Sequence, residues 1–150
     1  MILLQNSVPD CRSKAGAQGM KSGGCQCGAI RFELIGNASK VYACHCGECQ
    51  KQSASAFGIS VIHAPEHLTI TQGTPKSWKR ETSSGNETTC WFCEKCGSRL
   101  WHTAGSVISV KGGALDETPD VQTHIWTSGR LPWVVLPEGV ETWPEEPDGR

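Results

Sequence analysis

The stretch Cys44-His45-Cys46-Gly47-Glu48-Cys49 puts three cysteines into six residues near the middle of the chain. Outward from it, Cys25-Gln26-Cys27 lies before and Cys93-Glu94-Lys95-Cys96-Gly97 after, so seven cysteines fall into groups of two, three and two. Thiols this close in sequence rarely pair without strain, yet they fit well round one tetrahedral metal ion. The spacing predicts two zinc ions per chain, one held by four cysteines and one by three.

Composition supports a metal-organised fold. A chain of 150 residues is about one domain's worth, and its hydrophobic fraction of 37% is low. Its 17 Gly and 8 Pro break regular structure and predict short strands joined by many turns. The formal charge of −1, with both signs mixed along the chain, argues against nucleic acid or an anionic membrane as the partner. Nine cysteines would also suit a disulfide scaffold. Against that, no signal peptide is visible before Met20 and no apolar run reaches the length of a membrane span. The expectation is a cytoplasmic protein, in a reducing compartment where clustered cysteines are metal ligands.

Residues 1–19 have neither helical nor strand period and read as a disordered leader, with no role for Cys11; residues 20–150 read as the zinc-binding domain. Ile30, Phe32 and Leu34 alternate with Arg31 and Glu33, the pattern of a sheet with one dry face. Further strands are expected at 41–44, 56–62, 67–71, 77–80, 88–92, 98–102, 105–110 and 121–126, with one helical turn at 47–53 and a hairpin loop at 83–86. The tail, 131–147, carries Trp133 and Trp143 among four prolines and reads as an extended arm laid across the body. The fold class is all-β, small antiparallel sheets pinned by zinc.

Cys25, Cys27, Cys93 and Cys96 would fill zinc's four positions and leave none for a substrate, so that site reads as structural. Cys90 and Cys93 form a competing CxxC; Gly97 after Cys96 favours the first register, because glycine lets the backbone fold over a metal. Cys90 is then a small apolar strand residue. Cys44, Cys46 and Cys49 supply three ligands and an open position, the pattern of a catalytic site. Three thiolates over-neutralise the ion, making it a poor activator of water but a suitable host for an incoming thiol. The alternative is a second closed site with His45, His102 or Cys90 as fourth ligand. Against His45, neighbouring side chains on an extended strand point to opposite sides. His63 and His67 are four apart, but Pro65 between them disfavours the helix that would align them. His124 reads as an ordinary strand residue.

Three stretches carry a family resemblance: Gly23-Gly24-Cys25-Gln26-Cys27-Gly28-Ala29-Ile30-Arg31-Phe32-Glu33, Cys44-His45-Cys46-Gly47-Glu48-Cys49-Gln50-Lys51 and Phe92-Cys93-Glu94-Lys95-Cys96-Gly97-Ser98. Together with Lys111-Gly112-Gly113-Ala114-Leu115-Asp116 and the tail, they resemble the glutathione-dependent formaldehyde-activating enzymes, a family that includes centromere protein V. The resemblance spans roughly residues 20–147. It implies a β-tent fold, a structural zinc on Cys25, Cys27, Cys93 and Cys96, and a catalytic zinc on Cys44, Cys46 and Cys49. It implies a carbon–sulfur lyase that reversibly joins glutathione and formaldehyde as S-hydroxymethylglutathione. Ser53 and Ser55 are candidate proton donors, and Lys51, Lys79, Arg80 and Arg99 candidate partners for glutathione's carboxylates. The chain departs from many relatives in having Ser53-Ala54 where they have Ser-Gly, and in leaving few residues between strands to build a thiol pocket.

Three functions follow from these residues. One is a lyase acting on a thiol–aldehyde adduct; another binds glutathione or a similar thiol without turnover. The last is a zinc scaffold for protein contacts, suggested by six tryptophans.

Overall fold

In the computed structural model, which describes residues 19–82 and 85–147, the alternating Arg31-Phe32-Glu33-Leu34 is a strand with Phe32 and Leu34 buried and Arg31 and Glu33 half-buried. In chain order the strands are β1 (Met20–Gly24), β2 (Arg31–Ile35), β3 (Lys40–Cys44), β4 (Gly58–His63), β5 (Leu68–Gln72), β6 (Lys76–Glu81) and β7 (Glu87–Phe92). They continue as β8 (Arg99–Ala104), β9 (Val107–Lys111), β10 (Thr123–Ile125) and β11 (Glu141–Thr142). One short helix, α1 (Gly47–Ser53), follows β3, and three-residue 3₁₀ turns lie at Pro65–His67, Gly112–Ala114 and Thr127–Gly129. The all-β expectation holds. The leader expected at 1–19 falls, but for Gly19, outside the described residues, as do Cys11 and the loop residues Ser83 and Ser84.

The strands form two sheets. The smaller has the order β1-β2-β5; the larger has eight strands in the order β11-β10-β3-β4-β9-β8-β7-β6. Consecutive strands pair antiparallel through most of the larger sheet. At one edge β10 runs parallel to both β3 and β11, because the tail returns to lie alongside the sheet. The tail is fastened by backbone bonds from Trp143 N–H to the His124 carbonyl and from Thr127 N–H to the Trp143 carbonyl. It is an extended arm, as its prolines imply.

The dry faces of the two sheets meet. Phe32 and Leu34 from the smaller sheet, with Ile30 just before β2, pack on Val61, Leu100, Trp101, Ile108 and Val110 from the larger. The Phe32 ring meets Trp101 edge-on at 5.5 Å. Each such side chain contributes about 1.5–3 kcal/mol by leaving water. Cys25 and Cys93 are 6% and 1% exposed and belong to this same cluster, so the four-cysteine group sits at the seam between the sheets. The three-cysteine group lies elsewhere, where β3 ends and α1 begins.

Candidate metal centres and the cleft between them

Two glycine-containing turns, one a residue shorter than the other, build the four-cysteine group. Cys25 N–H donates to the Ile30 carbonyl and Gly28 N–H to the Cys25 carbonyl; likewise Cys93 N–H donates to the Ser98 carbonyl and Gly97 N–H to the Cys93 carbonyl. Gly28 and Gly97 both have left-handed backbones, φ 74° and 76°, which few other residues adopt at low cost. Each turn brings its pair of thiols to the inside of the bend. The ligand atoms of Cys25, Cys27, Cys93 and Cys96 lie within 4.8 Å of one another.

The spacing of those sulfurs is informative. Cys25 Sγ is 3.5 Å from Cys27 Sγ, which is 3.8 Å from Cys93 Sγ. A zinc ion with Zn–S bonds of about 2.3 Å sets tetrahedral S···S edges of about 3.8 Å. Disulfide sulfurs would be about 2.05 Å apart, and all eight described cysteines are free thiols. Ile30 N–H donates to Cys25 Sγ at 3.2 Å, and the Ser98 hydroxyl lies 3.2 Å from Cys96 Sγ. The Ser98 hydroxyl and backbone pull the Cys96 thiol down to about 6. The Cys96 sulfur is thus prepared for negative charge, whereas Cys27 is drawn down by the Ala29 backbone but raised overall to about 11 by burial and the neighbouring thiols; four thiols sharing one space in this way fit zinc. Cys90 stands apart from this group. It is fully buried on β7, paired across the ladder with Trp78 and His102.

The second group is local. Cys44 ends β3, Cys46 is the N-cap of α1, and Cys49 stands in its first turn. Cys49 N–H donates to Cys46 Sγ at 3.4 Å, so the CxxC spacing closes on itself as a helix cap. The three ligand atoms lie within 4.8 Å of one another. Three thiols this close cannot all ionise. Hydrogen bonds from Cys44 and Cys49 pull the Cys46 thiol down to about 2, while its bonds to Cys46 and Cys49, and then burial, push Cys44 up. Cys49 is drawn down by Cys44, but Cys46 and burial outweigh this and raise it to about 11. Two protons are therefore retained where a divalent cation would serve instead. This donor set also fits zinc.

Among the described residues no fourth Cys, His, Asp or Glu atom joins the three. His45 turns away, fully buried, with Nε2 2.9 Å from Nδ1 of His124 and its ring tilted against Phe57. His124 is thus part of a buried pair that holds β10 beside the cysteine loop, a role the sequence did not suggest. The loop is further held by the Gln50 amide, which donates to the carbonyls of His45 and Gly129. His63 and His67 do meet, contrary to expectation, with their Nδ1 atoms 3.3 Å apart. Pro65 opens a 3₁₀ turn there rather than blocking a helix, and the turn carries the chain from β4 of the larger sheet to β5 of the smaller.

The two groups face one cleft of about 830 Å³. Cys49 lines it from one centre, and Cys25 and Cys96 from the other. Phe57 and Ile59 supply apolar wall, Ser55 and Gln52 supply polar groups, and Arg31, Arg99 and Lys111 supply charge. The shortage of pocket-building residues read from the chain is corrected here: the cleft draws on four separated segments. The cations are also reassigned. Lys79 pairs with Glu87 and Arg80 with Glu48, and neither lines the cleft, nor does Lys51. Arg99 does line it, joined by Lys111. The Ser53 hydroxyl lies 2.8 Å from the Cys49 carbonyl and 2.9 Å from that of Phe57, so its one proton is held by the backbone. Ser55 remains open on the cleft. Among the tail tryptophans only Trp133, at 71%, is strongly exposed, which weakens the case for a broad aromatic docking surface.

Comparison with known proteins bears on this geometry. Residues 20–129 match the family model described as glutathione-dependent formaldehyde-activating enzyme. A protein of Halomonas elongata named "Putative glutathione-dependent formaldehyde-activating enzyme" is 32% identical over 130 residues, covering 76% of this chain and 79% of its own. A crystal structure of a Rhodobacter sphaeroides protein aligns with 81% of this chain and 98% of its own, at 19% identity and a TM-score of 0.49.

Proposed function

Because the chain belongs to the glutathione-dependent formaldehyde-activating enzyme family, we propose that it is a zinc-dependent carbon–sulfur lyase that makes and cleaves the adduct of glutathione with formaldehyde. The observation that carries this reading is a three-cysteine group with no fourth protein ligand among the described residues, opening through Cys49 onto a cleft. In this reading Cys44, Cys46 and Cys49 hold the catalytic zinc, and Cys25, Cys27, Cys93 and Cys96 hold a structural one.

A zinc ion held by Cys44, Cys46 and Cys49 would be a weak Lewis acid, and the chemistry it would supply is to lower the pKa of a thiol brought to it. The residues of the chain do the rest. The cleft holds the thiol and the aldehyde together, which turns an encounter into a positioned addition. The sulfur attacks the carbonyl carbon, the C=O pair moves onto oxygen, and the thiol's proton ends there through a donor in the cleft. We assign this role to the Ser55 hydroxyl, which lines the cleft, because Ser53 is bound by carbonyls of its own loop. No other reactant is needed, and the reverse path releases both partners. Phe57 and Ile59 limit water around the sulfur, and the His45–His124 pair fixes the loop that carries the thiols.

Calorimetry in two buffers of different ionisation enthalpy tests this. Zinc-loaded protein should bind glutathione at neutral pH with proton release, its thiol moving below about 8.5. S-methylglutathione, having no proton to lose, should bind far more weakly and release none. Equal affinity for the two compounds, or no proton release, excludes a sulfur bound at the metal and with it this reaction.

A further inference from the structure

Helix α1 and its N-cap carry two of the three clustered thiols, and no buried side chain fastens them. The helix is seven residues long and none of the seven is buried. A helix this short is unstable by itself in water, and most helices are held by an apolar face. Cys44, by contrast, ends β3, a strand paired on both sides within the larger sheet. How Cys46 and Cys49 stand relative to Cys44 therefore depends on the polar contacts that hold α1 in place.

Beyond bonds within its own loop, those contacts come from two sides. On one, the Gln50 amide donates to the Gly129 carbonyl. On the other, Arg80 of β6 pairs with Glu48 at 3.1 Å, and Arg99 of β8 donates to Gln52 Oε1 at 3.1 Å. Glu48 and Gln52 are four apart, so they share one face of the helix. Glu48 also stands between Cys46 and Cys49, in the turn that the two thiols frame. Lys76 and Lys79 of the same strand pair with Glu94 and Glu87, and their side chains are 58% and 65% exposed. The Arg80 side chain is 18% exposed, the least of any ion-pair member among the described residues. Its buried Nε has no partner, and its other contact is a long one, 3.4 Å from Nη1 to the Glu81 carbonyl. Arginines are mostly solvated, and a buried donor left unmade is costly. The pair with Glu48 holds this guanidinium inward against that cost.

We propose that Arg80 is a positioning residue for the three-cysteine centre: through Glu48 it fixes α1 against the larger sheet, and so sets how Cys46 and Cys49 meet Cys44 round a metal. This rests on the reading that those three cysteines hold an ion. It adds the residue outside their loop on which their geometry depends. The rival is an ordinary surface ion pair, which contributes little.

The test reads metal and not turnover. Zinc release to a chromophoric chelator, the visible absorption of cobalt-loaded protein and the thermal midpoint are recorded for the wild type, Arg80→Met, Glu48→Ala, the double variant and Arg80→Lys. Each of Arg80→Met and Glu48→Ala should speed release of the first ion on the order of fivefold, the upper end for a partly exposed pair, and leave the second unchanged. The double variant should be no faster than either, since all three lack the same contact, and Arg80→Lys should recover most of the loss. The cobalt ligand-field bands should shift in Arg80→Met and Glu48→Ala, a sign of altered geometry that lower stability alone does not give. Three results would overturn the proposal: first-ion release unchanged in both, effects that add in the double variant, or both ions leaving faster in proportion with unshifted cobalt bands. So would a wild type that binds one ion only, which leaves no centre to position. Failure of the lyase looks different. Glutathione binding without proton release removes the reaction while Arg80 still governs the first ion; proton release with an unresponsive first ion does the reverse.

Discussion

Ala54 adopts a left-handed backbone, φ 49° and ψ 41°, at the end of α1, where its N–H closes on the carbonyls of Gln50 and Lys51. That conformation suits glycine, and an L residue with a β-carbon is strained in it by about 1 kcal/mol. The Ser53-Ala54 sequence therefore keeps a glycine-type turn without the glycine. Ala54→Gly should raise the thermal midpoint of the zinc-loaded protein by about 2–4 °C, the shift expected for roughly 1 kcal/mol in a chain of this length. Because Ala54 also lines the cleft, any change in glutathione affinity would report on its methyl group separately. A midpoint that falls would mean that the methyl packs better than the turn is strained. At this scale the grouping of the cysteines was readable, because short spacings bring thiols to one place. Of the candidate cations only Arg99 reaches the cleft: a sequence shows Lys51 and Lys111 as equal charges, and only the fold puts one on the surface and the other in the cleft.

The two candidate metal centres are tied to elements in different ways. The four-cysteine group joins the β1–β2 turn to the β7–β8 turn, so one ion would fasten both sheets at their shared core. The three-cysteine group joins only β3 to the helix that follows it. Cys93→Ser should accordingly unfold or aggregate the protein, since a structural zinc contributes on the order of 10 kcal/mol to a small domain. Cys46→Ser should stay folded and lose glutathione binding through sulfur. Serine is moreover a preferred N-cap, so the start of α1 survives the change. Equal losses of thermal midpoint in both variants would remove the distinction between a structural and a catalytic site. The elements themselves were legible where a periodic pattern was long enough: α1 spans the expected residues 47–53, and β2 shows its alternation. The strand β1 was not, because Met-Lys-Ser-Gly-Gly has no alternation, and its place depends on five backbone pairings with β2. The parallel edge formed by β10 was equally hidden, since it depends on where a tail from the far end of the chain comes to rest.

For the molecule as a whole, the cleft is the feature that no local reading reaches: its wall is gathered from residues 24–31, 49–59, 96–99 and 111–116. Its shape depends on the two sheets staying in register, and hence on a metal if the four cysteines at their seam hold one. This dependence predicts an order of events on metal removal. The three-cysteine centre has one fewer thiolate, lies on a single local loop and opens to solvent through Cys49, so it should surrender zinc first. The four-cysteine centre has two of its thiols nearly or fully buried in the core and should keep its metal longer. Graded addition of a chromophoric chelator, with circular dichroism and tryptophan emission followed in the same cuvette, should release two zinc ions per chain in two phases. Secondary structure should persist through the first phase while glutathione binding disappears. In the second it should collapse, because the ion that binds folded but not unfolded chain contributes its binding energy to the fold. Trp101, stacked with Trp91 and packed on Phe32 at the seam, should report only that second step. Release of a single ion per chain, or collapse coincident with the first, would show that the two centres do not divide structure from chemistry in the way their placement implies.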